Sequence, residues 1–372
     1  MDPINPTPAG RALTVSFGTR LYRYRSLLRR RWWILALTVG ITVAFQAWRV
    51  FDMRASYESS SEPRVSGEPA SIGMPTRVRK DSAAFPIGTG MTKHLLAGLL
   101  GGLLFGGAIL FFIDRADDRM ASSLELIEHF SEPILAQIPN VSESRTEAGL
   151  PLMQSEDERF SYAEAFRSLR SSLLFMPHQT EFKTVVITSA ISNEGKSTIV
   201  SNLGITMAAS GARVLLVDAA LRRGELAALF GTDGHPGLTS ILREEVNWKS
   251  TVQKTAYETL WLIPRGPVTD QSDELLLRPI FQTLLEELKA DYDLVIFNTA
   301  PVLSPDDTPA LARHFDGTLM VVRAQFTSAR LLKNALKALY QRQVTVLGLI
   351  LNRVDIEAPE YYYYRDRKPY LG

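Results

Sequence analysis

The chain has 372 residues and no cysteine, which excludes disulfides, thiolate metal sites, iron–sulfur clusters and a cysteine nucleophile. Hydrophobic residues make up 45% and charged residues 22%, the composition of a folded chain with more than one region. The net charge of +1 excludes a nucleic-acid binder with a uniformly basic surface, and five scattered histidines make a histidine metal site unattractive.

The net charge hides an asymmetry. Arg11, Arg20, Arg23, Arg25, Arg29, Arg30 and Arg31 face only Asp2 in the N-terminal segment 1–31, a local +6. An uncharged run flanked by Trp32, Trp33 and Trp48 follows, and it predicts a first transmembrane helix over 32–51, close to the shortest length that crosses ~30 Å of hydrocarbon. A second uncharged run over 95–113 predicts a second span. In it Gly98, Gly102 and Gly106 recur every four residues, a spacing that favours close helix pairing. The basic head predicts that the N-terminus stays cytoplasmic. Segment 52–94 is then a short external loop, and residues from 114 onward return to the cytoplasm. The expected arrangement is a two-pass membrane protein with both termini cytoplasmic.

Beyond a linker over 114–160 the pattern changes. Short apolar runs at 184–189, 213–218, 259–265, 293–298, 316–323 and 344–352 are mostly separated by helical stretches at 196–210, 272–288 and 328–341. Continuous apolar strands between helices predict a parallel sheet covered on both faces, an α/β doubly wound domain over 161–355. At the end of its first strand comes Ala190-Ile-Ser192-Asn193-Glu194-Gly195-Lys196-Ser197-Thr198, which fits the phosphate-loop spacing with Ala190 in place of the first glycine. Backbone amides and a helix N-terminus there would surround a polyphosphate, Lys196 would reach its outer phosphates, and the Ser197 hydroxyl would coordinate Mg²⁺. The fold class is therefore P-loop NTPase-like.

Phosphoryl transfer also needs carboxylates at the ends of neighbouring strands. Asp218 closes one such strand. Asn298 closes another, where a metal-holding aspartate would ordinarily stand. Asp306 and Asp307 beyond it could supply the missing carboxylate, but read better as caps of the helix at Thr308. The C-terminal segment 356–372 carries Tyr361, Tyr362, Tyr363, Tyr364 and Tyr370, a clustering with no packing rationale that reads as a tail of phosphoacceptors.

Together these motifs resemble the bacterial tyrosine autokinases (BY-kinases) of exopolysaccharide and capsule export. SAISNEGKST (189–198) is similar to that family's Walker A, VLLVDAALRR (214–223) to its Walker A′ and DLVIFNTAPVL (293–303) to its Walker B. Gly237-LTSIL, Leu262-IPRGPV and Val346-LGLILNRVD follow in the family's order. The spans, with the stretch ending in Pro133-ILAQIP, resemble the membrane frame of polysaccharide co-polymerases.

The resemblance implies ATP and Mg²⁺ as ligands. It implies Lys196 and Asp218 as catalytic residues, Ser197 and Asp218 on the metal, and Asn352 against the adenine. Glu164, Arg167 and Arg170, at i, i+3 and i+6 of one helix, would be ring contacts between copies. Expected partners are further copies of the chain, the membrane, a polysaccharide polymerase and export machinery, and a phosphotyrosine phosphatase, with no nucleic acid.

Three departures stand out: Ala220 and Asn298 replace the family's acids, Ser192-Asn193 replaces its Pro-Gly pair, and the external loop is short. They motivate a second reading, a catalytically weakened nucleotide-binding scaffold that regulates export without efficient phosphoryl transfer. A partitioning or septum-positioning ATPase on the same fold explains neither the spans nor the tyrosines.

Overall fold

The structure, a computed structural model, describes residues 31–49, 89–141, 152–154, 159–176, 182–305 and 308–356. The basic head before Arg31, the loop between the apolar runs, Asp306, Asp307 and the tyrosines at 361–364 and 370 lie outside the described residues. The chain divides into two compact units, Met1–Asp117 and Asp118–Gly372.

In the first unit the two apolar runs are helices, α1 over 31–49 and α2 over Thr89–Ala116. Within α2, Lys93–Ala116 is the one helix among the described residues that is long and apolar enough to cross a membrane, with only 17% of its most apolar window buried. The glycine spacing does what it predicts. A Cβ at Gly102 would stand 2.4 Å from Thr42 Oγ1 and 2.7 Å from Val39 Cα, and one at Gly106 would stand 2.4 Å from Thr38 Oγ1. Close backbone approach also lets Thr42 Oγ1 donate to the Gly98 carbonyl at 2.8 Å. Small residues on α2 thus form the groove that receives α1.

The second unit is an eight-stranded sheet in the order β1-β8-β7-β2-β6-β3-β5-β4. Its strands are β1 (Ile134–Pro139), β2 (Thr184–Ser189), β3 (Val214–Asp218), β4 (Gln253–Lys254), β5 (Leu260–Ile263), β6 (Leu294–Asn298), β7 (Gly317–Arg323) and β8 (Val346–Val354). All neighbours are parallel except the β4–β5 edge pair. The central strands are buried on both faces, which is why they read as unbroken apolar runs rather than alternating ones.

Val185, Ile187 and Leu216 on one face pack against α4 (Phe160–Leu174) and α5 (Lys196–Ala208). Val186, Leu215 and Val217 on the other meet α7 (Leu238–Leu242), α8 (Ser272–Leu276) and α9 (Pro279–Asp291). Met320 and Val322 meet α3 (Ser123–His129) and α11 (Ala329–Gln341) on that second face. The short helices α6 (Leu226–Phe230) and α10 (Thr308–Ala312) complete the unit.

Two differences from the sequence expectation have physical causes. The stretch assigned to a linker, 114–160, contains β1, which pairs in parallel with β8 along Ile134↔Leu349 to Pro139↔Val354. The single helix expected over 272–288 is two, because Arg278 precedes Pro279, and a residue before proline avoids the helical region. The sheet places β2 between β6, on the way to β3, and β7, on the way to β8. The loop leaving β2 therefore opens at the topological switch point, where this fold class leaves a crevice.

Candidate functional site

The β2–α5 loop occupies that point. Asn193 (φ 66°) and Gly195 (φ 94°) both adopt left-handed backbone, and a Cβ on Gly195 would lie 2.1 Å from Asn352 Nδ2. Glycine is required there on both counts. Gly195 is also the N-cap of α5 and supplies no side-chain cap, while the first backbone bond of the helix is Ile199 N–H to the Gly195 carbonyl at 3.0 Å. The amides of Lys196, Ser197 and Thr198 consequently have no intrahelical acceptor, and they gather partial positive charge at one point.

Lys196 projects from this turn and donates to Ser189 Oγ at 3.1 Å. Burial lowers its pKa to about 8, against the opposing pull of Glu194 and Glu225. A desolvated ammonium beside uncapped amides is a site made for an anion. The expected cradle residues Ala190, Ser192, Asn193, Glu194, Gly195, Lys196, Ser197 and Thr198 all fall on this one loop and helix turn. Ser192 and Asn193 are exposed, and Ala190 is buried. The Glu194 side chain is fully buried and faces the interior rather than the mouth. Burial raises its pKa, opposed by bonds from the Thr327 hydroxyl, the Ile191 amide and Ser189, and by Lys196.

Asp218 and Asn298 are paired by the sheet itself, since β3–β6 register sets them opposite each other at the strand ends. Both are 1% exposed. Asn298 Nδ2 donates to Asp218 Oδ1 at 2.9 Å, Ala220 N–H reaches the same oxygen at 3.4 Å, and Leu226 N–H donates to Oδ2 at 3.0 Å. Burial nevertheless pushes the Asp218 carboxyl up to about 6, against those three donors and the charge of Arg265. Asn298 Oδ1 is buried and has no hydrogen-bond partner.

An orphaned acceptor of this kind signals a missing donor or cation. With the Asp218 carboxylate beside it, and the Ser197 hydroxyl expected from the motif, the residue types available are all oxygen donors with one negative charge. That set suits Mg²⁺, which binds through one or two carboxylates and completes its shell with water and substrate phosphate. Among the described residues no cluster of three or more His, Asp or Glu forms a metal cage.

Other expected residues lie elsewhere. Asn352 is buried beside the loop rather than open to a base: its Nδ2 donates to the Glu194 carbonyl at 2.8 Å and its Oδ1 accepts from Arg353 N–H at 2.9 Å. Glu164 and Arg167 are exposed and pair with each other at 3.3 Å along α4. Arg170 turns inward and donates to the Thr206 carbonyl at 3.2 Å, near the end of α5. The structure therefore does not give these three the same face.

Three residues that motif reading missed also belong to the neighbourhood. Glu225, next to the Leu226 amide that binds Asp218, acts electrostatically on Lys196. Arg323 and Thr327 reach the loop from β7 and the turn after it. No local pattern marks them, because sheet order rather than sequence spacing brings them there.

Comparison with known proteins agrees with this geometry. Residues 182–345 match a family model described as an AAA domain. The tyrosine-protein kinase YwqD of Bacillus subtilis is 32% identical over 210 residues, which cover 56% of this chain and 89% of that protein. A putative tyrosine-protein kinase, EpsB of Ralstonia nicotianae, is 31% identical over 282 residues, or 73% of this chain but only 37% of its own length. The solved kinase domain of the Escherichia coli tyrosine kinase Etk superposes with a TM-score of 0.57 at 30% identity, covering 63% of this chain and 94% of that domain. With a relative of this identity matched along nearly its whole length, and the phosphate loop and strand-end acid in place, the chain belongs to the bacterial tyrosine-protein kinase family.

Proposed function

We propose that the chain is a membrane-anchored, ATP-dependent protein-tyrosine autokinase that phosphorylates its own C-terminal tyrosines and thereby regulates exopolysaccharide or capsule polymerisation and export. The observation that carries this reading is the uncapped start of α5 beside a desolvated Lys196, at the mouth of a sheet whose strand end buries Asp218. The amides of 194–198 and Lys196 would bind the β- and γ-phosphates of ATP, and Ser197, Asp218 and the Asn298 oxygen would hold Mg²⁺. The metal, when bound, neutralises charge on the phosphates.

In the transfer, a phenolic oxygen among Tyr361, Tyr362, Tyr363, Tyr364 and Tyr370 bonds to the γ-phosphorus. The bond from that phosphorus to the β–γ bridging oxygen breaks and ADP leaves. The phenolic proton passes to Asp218, whose raised pKa suits a proton acceptor near neutrality. About nine residues separate Asn352 from Tyr361, a reach of roughly 30 Å when extended, long enough for the acceptor to come from a neighbouring copy.

The same reading assigns a two-pass topology, with the first span over 32–51 and the second over 95–113, the latter inside the apolar helix Lys93–Ala116. It keeps segment 161–355 as the nucleotide-binding core and 356–372 as the acceptor tail, and it places the exposed Glu164 and Arg167, without the inward-turned Arg170, at contacts between copies in a ring. Polysaccharide polymerase and export components, and a phosphotyrosine phosphatase, are the partners this implies.

A second reading, a weakened scaffold that binds nucleotide without efficient transfer, is favoured by Ala220 and by Asn298, which stand where carboxylates would serve. One experiment separates the two. Full-length protein purified in detergent is incubated with Mg-ATP and probed for phosphotyrosine, beside a Lys196→Met control and a variant truncated after residue 356. The kinase reading expects signal that both variants abolish. Nucleotide binding with no signal in the wild type selects the scaffold, and no binding at all refutes both.

A further inference from the structure

The phosphate loop is held from behind by groups that no phosphate would touch. Arg323 Nη1 donates to the Asn193 carbonyl at 2.9 Å, and Asn352 Nδ2 donates to the Glu194 carbonyl at 2.8 Å. In a planar trans peptide the carbonyl and the following N–H point in opposite directions. Drawing these two carbonyls toward β7 and β8 therefore turns the amides of Glu194 and Gly195 the other way.

The Glu194 side chain forms a third tie. One carboxylate oxygen accepts the Ile191 amide at 2.7 Å, and the other accepts the Thr327 hydroxyl. Thr327 is fully buried, and its oxygen already accepts Arg323 N–H at 3.0 Å. A hydroxyl has a single hydrogen, so with an acceptor site filled by Arg323 that hydrogen is committed to Glu194. The Asn193 and Glu194 carbonyls and, through the Glu194 carboxylate, the Ile191 amide are thus fastened to the end of β7, the turn after it and Asn352 of β8.

We infer that Thr327 and Arg323, acting through Glu194 and the Asn193 carbonyl, are positioning residues that preset the loop amides for phosphate before any nucleotide arrives. Donors fixed in advance need no reorganisation on binding, which is the physical source of tight anion recognition in a preformed loop. The inference rests on the nucleotide-binding reading for its consequence, though not for its geometry.

The test uses the full chain in detergent and four variants: Thr327→Val, which keeps shape and removes the hydroxyl, Thr327→Ser, which restores it, Arg323→Gln, and Glu194→Gln. Two readouts are taken: titration with a fluorescent ADP analogue in Mg²⁺, and amide hydrogen exchange without ligand. Thr327→Val and Arg323→Gln are expected to raise the dissociation constant about tenfold, equivalent to ~1.4 kcal/mol. They are also expected to speed exchange at 190–195 while leaving β2, β6 and β7 protected. Thr327→Ser should return both values to within about twofold of wild type, and Glu194→Gln should fall between.

Unchanged exchange and affinity in Thr327→Val, no recovery in Thr327→Ser, or faster exchange spread evenly over the whole sheet would each overturn the inference. If wild type binds no analogue while exchange changes stay confined to the loop, the nucleotide reading fails and the brace stands.

Discussion

Replacing Asn298 by aspartate tests the electrostatics of the strand-end pair most directly. The substitution exchanges a donor 2.9 Å from Asp218 Oδ1 for an acceptor, with both residues 1% exposed. A hydrogen bond to a buried charge contributes ~1.5–3 kcal/mol, and two carboxylates so close cannot both ionise, so the pair retains one shared proton. That shared proton restores part of the lost bond, leaving a net destabilisation of about 1–3 kcal/mol, or roughly 3–10 °C in melting temperature for a unit of this size.

The sign of the pH dependence separates the two proteins. In the wild type the Asp218 carboxyl is raised to about 6 from an ordinary 3.8. The folded form therefore holds a proton that the unfolded form has lost, and stability from this group is present below ~4 and lost as pH rises to about 6. In Asn298→Asp the shared proton persists above 6, so the melting temperature should keep falling between pH 6 and 8 while the wild-type contribution is already flat. Mg²⁺ at millimolar concentration should displace that proton and recover most of the loss in the variant. Differential scanning calorimetry over pH 4–8, with and without Mg²⁺, measures all of this. Parallel pH profiles for the two proteins, or a variant as stable as wild type at pH 8 without metal, would refute the pairing of the two side chains.

Three further outcomes follow from other parts of the molecule. With Lys196 lowered to about 8 by burial, affinity for Mg-ADP should decline as pH rises from 7 to 9, while Lys196→Arg should bind with little change over that range; titration calorimetry at three pH values checks it. Gly195→Ala meets Asn352 Nδ2 at 2.1 Å and places a side chain at φ 94°, so it should cost ~2 kcal/mol or more of stability and at least tenfold in nucleotide affinity, read by thermal melting and analogue titration. Gly102→Leu drives a side chain into Thr42 and Val39 and should open the helix pair, raising amide exchange at residues 38–42 at least tenfold in micelles.

The origin of each structural feature explains how much of it the chain's residue pattern foretold. Strands β2, β3, β6, β7 and β8 were legible because both their faces are covered, which makes a run uniformly apolar whatever its partners. The phosphate loop was legible because one short stretch supplies its amides, its lysine and its helix start. The glycine stripe on α2 was legible because its period matches the helix.

Strand β1 was not legible, because six residues beginning after Pro133 gain strand character only from the open edge of β8. The inward turn of Arg170, the coupling of Asn298 to Asp218 and the ties from Arg323, Thr327 and Asn352 to the loop were hidden for the same reason. Each joins residues that are 36 to 158 positions apart in the chain. Local pattern therefore determined which chemistry this protein carries, since a phosphate-binding turn and a lipid-length helix are written in consecutive residues. Only the order in which the strands pair decided which side chains stand behind that turn, because hydrogen bonding and desolvation act on neighbours in space and take no account of distance along the chain.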